Sequence, residues 1–153
     1  MLSNIYLDPL DHLMAERGFE MVRYADDFVI LCRTQAEAEQ ALAVVRQWTE
    51  SAGLQLHPDK TSIAYAPGEG FEFLGYYFHH GKRDVRRKSL AKFKATIRAK
   101  TRRCNGESLD DIIRSVNGTS RGWFKYFKHA HRYTFTSLDG WIRMRLRSIL
   151  RKR

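Results

Sequence analysis

Two adjacent carboxylates, Asp26 and Asp27, interrupt the run VRYADDFVIL at residues 22–31 and are the only charges between Arg23 and Arg33. Paired acids at such a position either face water in a turn or supply oxygen ligands to a hard cation such as Mg²⁺. Like charges about 4 Å apart repel by roughly 1 kcal/mol in water and roughly 4 kcal/mol at the effective dielectric of a protein surface. A cation offsets that repulsion. Turning the chain does not require the pair, because favoured hairpin turns need positive φ, which glycine supplies better than aspartate.

The elements that must position the pair are legible around it. Phe19 to Tyr24 and Phe28 to Cys32 are rich in β-branched and aromatic residues, and a two-residue gap between such runs predicts a tight hairpin with the acids at or beside its turn. Before it, Leu2, Ile5, Tyr6, Leu10, Leu13 and Met14 recur at helical spacing up to Gly18, with Pro9 demanding a kink or a restart capped by Asp8. After it, Thr34 and Glu37 form a capping-box pattern, and Ala38, Ala41, Leu42, Val45 and Trp48 make one apolar face. Thr61 to Ala66 and Phe71 to Phe78 read as strands separated by the turn Pro67-Gly68-Glu69-Gly70. Residues 1–81 thus predict helix, hairpin, helix and two strands: an α+β sheet with helices on one side.

From about residue 86 only helical periodicity remains. Leu90, Phe93 and Ile97 mark one helix stopped by Asn105-Gly106, and Leu109, Ile112, Ile113 and Val116 a second, capped by Ser108 and closed by Asn117-Gly118. Trp123, Phe124, Phe127 and Ala130 mark a third, and Leu138, Trp141, Ile142, Leu146 and Ile149 a last one ending in Arg151-Lys152-Arg153. Charge divides at the same place. Residues 1–81 hold 5 Lys and Arg against 12 Asp and Glu, net −7, whereas residues 82–153 hold 22 against 5, net +17. An excess of that size over 72 residues exceeds what solubility asks for and points to a polyanionic partner, with Arg98, Arg102 and Arg103 on the first basic stripe. Cys32 and Cys104 form no C-x-x-C pair and the histidines have no zinc spacing, so a reduced thiol pair and no zinc site are expected. No apolar run approaches the length of a membrane span.

Several short segments resemble one family. Tyr24-Ala25-Asp26-Asp27 resembles the YADD box of reverse transcriptases, in the variant typical of the bacterial group II intron type. LHPDKT at 56–61 is similar to the family's following Lys-bearing segment, FEFLGYYF at 71–78 to the hairpin that leads into its thumb, and SRGWFKYFKHA at 120–130 to the signature of its maturase-specific domain. The opening LSNIYLDPLDHLM is similar to the helix after the family's Pro-Gln-Gly segment. The resemblance covers nearly all the chain and implies the end of a polymerase palm (1–81, antiparallel hairpins with packed helices), followed by an all-helical thumb and maturase bundle (82–153).

Roles follow from the resemblance. It makes Asp26 and Asp27 catalytic ligands of a two-Mg²⁺ site, and Lys60 a general acid toward pyrophosphate, with a phosphate contact or an exposed cap as the alternative for Lys60. It makes Phe73, Leu74, Gly75 and Tyr76 a primer grip, and Arg121, Trp123, Lys125, Tyr126 and Lys128 RNA contacts, although Trp123, Tyr126 and Phe127 also have the spacing of core residues. The family's third metal-binding Asp and its fingers precede this segment, and Asp8 and Asp11 are poor substitutes because they lie in a helical stretch. The expectation is therefore a C-terminal part of an RNA-directed DNA polymerase, inactive alone, from a truncated gene, a fragment or a split protein. Its implied partners are group II intron RNA, an RNA template with a DNA primer, and a missing N-terminal half or a second copy, in a bacterial cytoplasm. A non-catalytic RNA-binding splicing factor that uses only the basic helices is the alternative.

Overall fold

Leu7, Leu10 and Met14, spaced three and four apart, are buried along one stripe of α1 (Leu2–Glu16). That stripe explains why the helix runs on through Pro9 instead of restarting at Asp8: a restart would break the register of the three buried side chains. The backbone bond that proline removes falls in an exposed turn near Ile5, where water can take the carbonyl. In this computed structural model residues 2–102 and 106–151 are described, so the readings placed on Arg103, Cys104, Asn105, Lys152 and Arg153 lie outside the described residues. The chain forms two compact units, residues 1–65 and 66–153.

In the first unit, β1 (Glu20–Tyr24) and β2 (Asp27–Leu31) pair antiparallel, Tyr24 opposite Asp27 and Met21 opposite Ile30. Alternation puts Met21, Arg23, Phe28 and Ile30 on one face, and α1 and α2 (Gln35–Ser51) both pack there. The cap of α2 is built as its sequence predicts: Thr34 Oγ1 accepts from the Glu37 N–H at 3.2 Å. The Glu37 carboxylate, however, takes the N–H of Arg33 at 2.7 Å, one residue further back than a reciprocal box requires. Leu10, Met14, Ala41 and Val45 are the closed centre of this unit. Burying each of the three larger side chains contributes about 2 kcal/mol. Thr61 to Ala66, expected as a strand, is irregular: residues 62–65 are exposed and no neighbouring strand takes their backbone groups.

In the second unit, β3 (Phe71–Phe73), β4 (Tyr76–His79) and β5 (Lys82–Val85) form a meander in the order β3-β4-β5. This is a sheet of its own, not part of the hairpin sheet that one continuous palm reading anticipated. Its last strand escaped sequence reading because Lys82, Arg83 and Asp84 lack strand-like hydrophobicity; the signal was His80-Gly81, a turn with both residues at positive φ. Three helices follow: α3 (Arg87–Lys100), α4 (Leu109–Phe127) and α5 (Arg132–Leu150). Phe93, Ile97, Ile112, Val116, Leu138 and Ile149 form their shared core.

The two helices expected over 109–130 are one. Asn117-Gly118 does not close α4, because Ile112, Val116, Trp123 and Phe127 stay on a single inward stripe on both sides of it. A mid-helix glycine costs about 1 kcal/mol, which that burial outweighs. Gly118 faces open space, so Gly118→Ala is expected to stabilise the protein by about 1 kcal/mol and raise Tm by roughly 2–4 °C in a thermal melt. A lower Tm would mean that the chain breaks at this point.

Candidate functional site

The hairpin turn consists of Ala25 and Asp26, with Asp27 the first residue of β2. Ala25 has φ 57°, a left-handed conformation that costs a residue with a Cβ about 1–2 kcal/mol. Among the described residues, one side chain hydrogen-bonds to this turn. Arg23 points inward beneath it, only 11% exposed, and its Nη1 donates to the Ala25 carbonyl at 2.8 Å and to Asn4 Oδ1 at 3.1 Å. Its Nε donates to Asp11 Oδ1 at 2.8 Å, and Nη2 reaches Asp11 Oδ2, giving a two-pronged ion pair between β1 and α1. The hydrogen bonds it donates to Asp11 raise the Arg23 pKa further, so the cation is permanent.

With the turn anchored from below, Asp26 and Asp27 project outward. Both are exposed, and among the described residues neither carboxylate has a hydrogen bond or an ion pair. They are oxygen donors free to take a ligand. No set of three His, Cys, Asp or Glu able to hold a metal ion occurs among the described residues. Asp11 of α1, which lines the same side of the hairpin, is committed to Arg23. An open groove of about 880 Å³ beside the turn is lined by Asn4, Asp8, Asp11, Arg23, Tyr24 and Ala25. Lys60 is exposed in the His57–Lys60 turn, and its described contact is a backbone N–H to the His57 carbonyl at 3.2 Å. Cys32 packs, partly buried, against the core of this unit, and burial first, then Glu37, pushes its thiol pKa up.

In the second unit the turn Leu74-Gly75 joins β3 to β4, with φ of 48° and 82°. Three hydrogen bonds fasten it: Tyr126 Oη donates to the Leu74 carbonyl at 2.9 Å, the Arg86 N–H to the Gly75 carbonyl at 2.9 Å, and Tyr76 Oη to the Tyr126 carbonyl at 2.7 Å. A Cβ on Gly75 would meet Phe127 Cζ and Ser89 Oγ, each at 3.3 Å. Phe73, Leu74, Gly75 and Tyr76 therefore form one rigid turn against the end of α4. Burial and the neighbouring Tyr126 push the Tyr76 phenol pKa up, which keeps it a neutral donor.

The basic residues divide by location. Arg98, Arg102, Arg121, Lys125 and Lys128 are exposed. Trp123 is turned inward, partly buried and stacked on Phe93 at 4.5 Å and against Phe127 at 4.8 Å, so its ring packs against the core. Tyr126 is 56% exposed but its hydroxyl is spent on Leu74. Sequence reading missed the Arg23–Asp11 clamp. Its signal was a charged residue at an inward position of an alternating strand. It also missed Trp141, whose ring has Lys94, Arg98 and Arg145 at 5.5–5.8 Å.

Comparison with protein families gives two matches. Residues 1–78 match the family described as "Reverse transcriptase (RNA-dependent DNA polymerase)", and residues 90–153 match "Group II intron, maturase-specific domain". No curated protein matches the chain. The first match spans α1, the carboxylate hairpin, α2, β3 and nearly all of β4; the second spans most of α3 and all of α4 and α5.

Two stability measurements test this geometry. Arg23→Met is expected to cost about 2 kcal/mol in urea unfolding, the range for hydrogen bonds to a charged group, with Arg23→Lys recovering only part because an ammonium cannot span the same acceptors. Additive losses in a double-mutant cycle with Asp11→Asn would refute the clamp. Gly75→Ala is expected to cost about 1–2 kcal/mol from its positive φ alone, read in the same assay.

Proposed function

For a chain that belongs to the reverse transcriptase (RNA-dependent DNA polymerase) family and carries a group II intron maturase-specific domain, we propose that its hairpin is the carboxylate part of a polymerase active site and its basic helices the holder of intron RNA. The observation that carries this reading is the pair Asp26 and Asp27, unpartnered on an anchored and exposed turn, in the same chain as a helical unit with a large cationic excess. The functional division proposed here is 1–81 and 82–153.

The donor set fits Mg²⁺ in kind, since both ligands are hard carboxylate oxygens, but two carboxylates are fewer than a two-metal site needs. Bound Mg²⁺ supplies activation of a primer hydroxyl and neutralises charge on the departing pyrophosphate. The chain's own residues do the rest. Asp26 and Asp27 offer oxygens at a fixed height above β1 and β2, because Arg23 fixes Ala25. Asp11 neutralises Arg23, so the guanidinium does not compete with a cation at the turn. Lys60 is the proposed proton donor to the leaving group, and the Leu74-Gly75 backbone the proposed primer contact. Arg98, Arg102, Arg121, Lys125 and Lys128 take phosphates, and Arg103 joins them on sequence grounds. Polymerisation then belongs to an assembly in which another polypeptide contributes the remaining carboxylate and the nucleotide-binding fingers, with a second copy as the alternative partner for the RNA-bound state, in association with intron RNA in a bacterial cytoplasm.

Mixing the chain with a polypeptide that carries the family's upstream palm and fingers is expected to give Mg²⁺-dependent extension of a DNA primer on an RNA template. Asp26→Ala should abolish the extension and leave RNA binding intact, whereas Arg121→Gln with Lys125→Gln should weaken binding and flatten its salt dependence by about 1–2 in slope. Extension that survives Asp26→Ala would refute the catalytic assignment. Undiminished binding by the Arg121 and Lys125 variant would refute the RNA assignment.

A further inference from the structure

Two segments far apart in sequence, 80–83 and 128–133, meet where the His131 N–H donates to the Arg83 carbonyl at 2.8 Å. The contact brings Lys82 and Arg83 of β5 to the corner between α4 and α5, where Lys128 and Arg132 stand, and all four are exposed. Neither segment contains Asp or Glu. The acids closest in sequence are already taken: Asp84 by His79, Nε2 to Oδ2 at 2.7 Å, and Asp139 by Arg143 at 2.8 Å. None of the four cations has an ion pair among the described residues. They also flank the start of α5, whose first turn holds no acid, so the helix dipole adds to their field.

Among these cations stands an aromatic ring that lies outside the core clusters of the described residues. Tyr133 is 64% exposed and belongs to no core cluster. The Arg132 guanidinium lies 5.4 Å from its centroid and the His131 ring 5.1 Å away, tilted by 38°. Holding a large ring in water costs the hydrophobic stabilisation it would gain elsewhere. An exposed ring flanked by unpaired cations is instead suited to stack a base while the cations take the adjoining phosphates.

We propose that this corner is a single-stranded RNA site, with one base stacked on Tyr133 and the flanking phosphates on Lys82, Arg83, Lys128 and Arg132. It rests on the RNA-binding reading of the basic unit and adds the place and the strandedness. A duplex hides its base faces inside the stack, so Tyr133 can discriminate single strands from paired ones.

Fluorescence anisotropy with the full chain tests it, using a labelled 12-nucleotide oligo(U), its DNA counterpart and a 12-base-pair RNA duplex over a salt series. Tyr133→Ala is expected to weaken oligo(U) binding by about 5- to 150-fold, the range of one base–aromatic stack, and to leave duplex binding unchanged. Tyr133→Phe should bind within about 2-fold of the wild type, because it keeps the ring. Arg83→Gln, on a different element, should reduce the salt slope by about 0.7 and keeps the test decisive if the alanine variant unfolds. Oligo(U) binding unchanged in Tyr133→Ala, equal losses for oligo(U) and duplex, or tighter binding to phosphatidylserine vesicles than to oligo(U) would each overturn the proposal. A wild-type chain that binds neither RNA would instead overturn the RNA-binding reading on which it rests. Tighter binding of the DNA counterpart than of oligo(U) would keep the stacking geometry and overturn RNA as its ligand.

Discussion

The guanidinium of Arg23 is the constraint on which the carboxylate hairpin depends. A two-stranded sheet is marginal in water, and this one turns through an alanine in a left-handed conformation, so hairpin geometry would not hold itself. Arg23 supplies what the turn lacks by binding the Ala25 carbonyl on one side and Asp11 and Asn4 of α1 on the other. Burying that cation would be unfavourable without a partner, and Asp11 provides one with matched fork geometry. The same pairing removes Asp11 from competition as a metal ligand. Strain, cation and counter-ion thus form one unit whose effect is to present Asp26 and Asp27 outward and unpartnered.

The second unit solves a comparable problem with aromatics. Its Leu74-Gly75 turn has both residues at positive φ and is held by the hydroxyls of Tyr126 and Tyr76, with Phe127 closing over Gly75. Tyr76 and Phe127 lie 5.1 Å apart, and Phe127 continues into the Trp123 and Phe93 stack, so the meander and the end of α4 share one packed layer. This layer takes up Trp123 and Phe127 of the segment around 120–130 and leaves its Arg and Lys residues, with Phe124, exposed. The alternation of core aromatics with surface cations along α4 is what makes one helix both a packing element and a polyanion surface.

Much of this was legible in the chain. The hairpin, the Thr34 cap, the Ser108 cap and the charge division follow from short-range patterns with direct physical causes, and both caps are present as hydrogen bonds. The α+β organisation, the family and the maturase-specific region were legible from the same segments. Failures occurred where tertiary packing overrode a local signal. Pro9 and Asn117-Gly118 are breakers by propensity, yet each lies within a stripe whose burial outweighs it. Thr61 to Ala66 has strand-forming residues but no partner strand, and β5 has a partner but no strand-forming residues at its start. In the candidate site, the placement of Asp26 and Asp27 at an exposed hairpin turn was legible, because adjacent acids between apolar runs are costly to bury. Arg23 and Asp11 were not, because their link is twelve residues long and depends on which face of β1 meets α1.

The most direct measurement of the central claim is paramagnetic broadening of the chain's amide resonances by Mn²⁺, titrated in place of Mg²⁺. Broadening is expected to centre on Ala25, Asp26 and Asp27 and to disappear in Asp26→Asn with Asp27→Asn, while the resonances of Asp110 and Asp111 stay sharp. Broadening centred on another acidic site, or none at the hairpin at millimolar Mn²⁺, would contradict the reading of these two carboxylates as the chain's metal-binding pair.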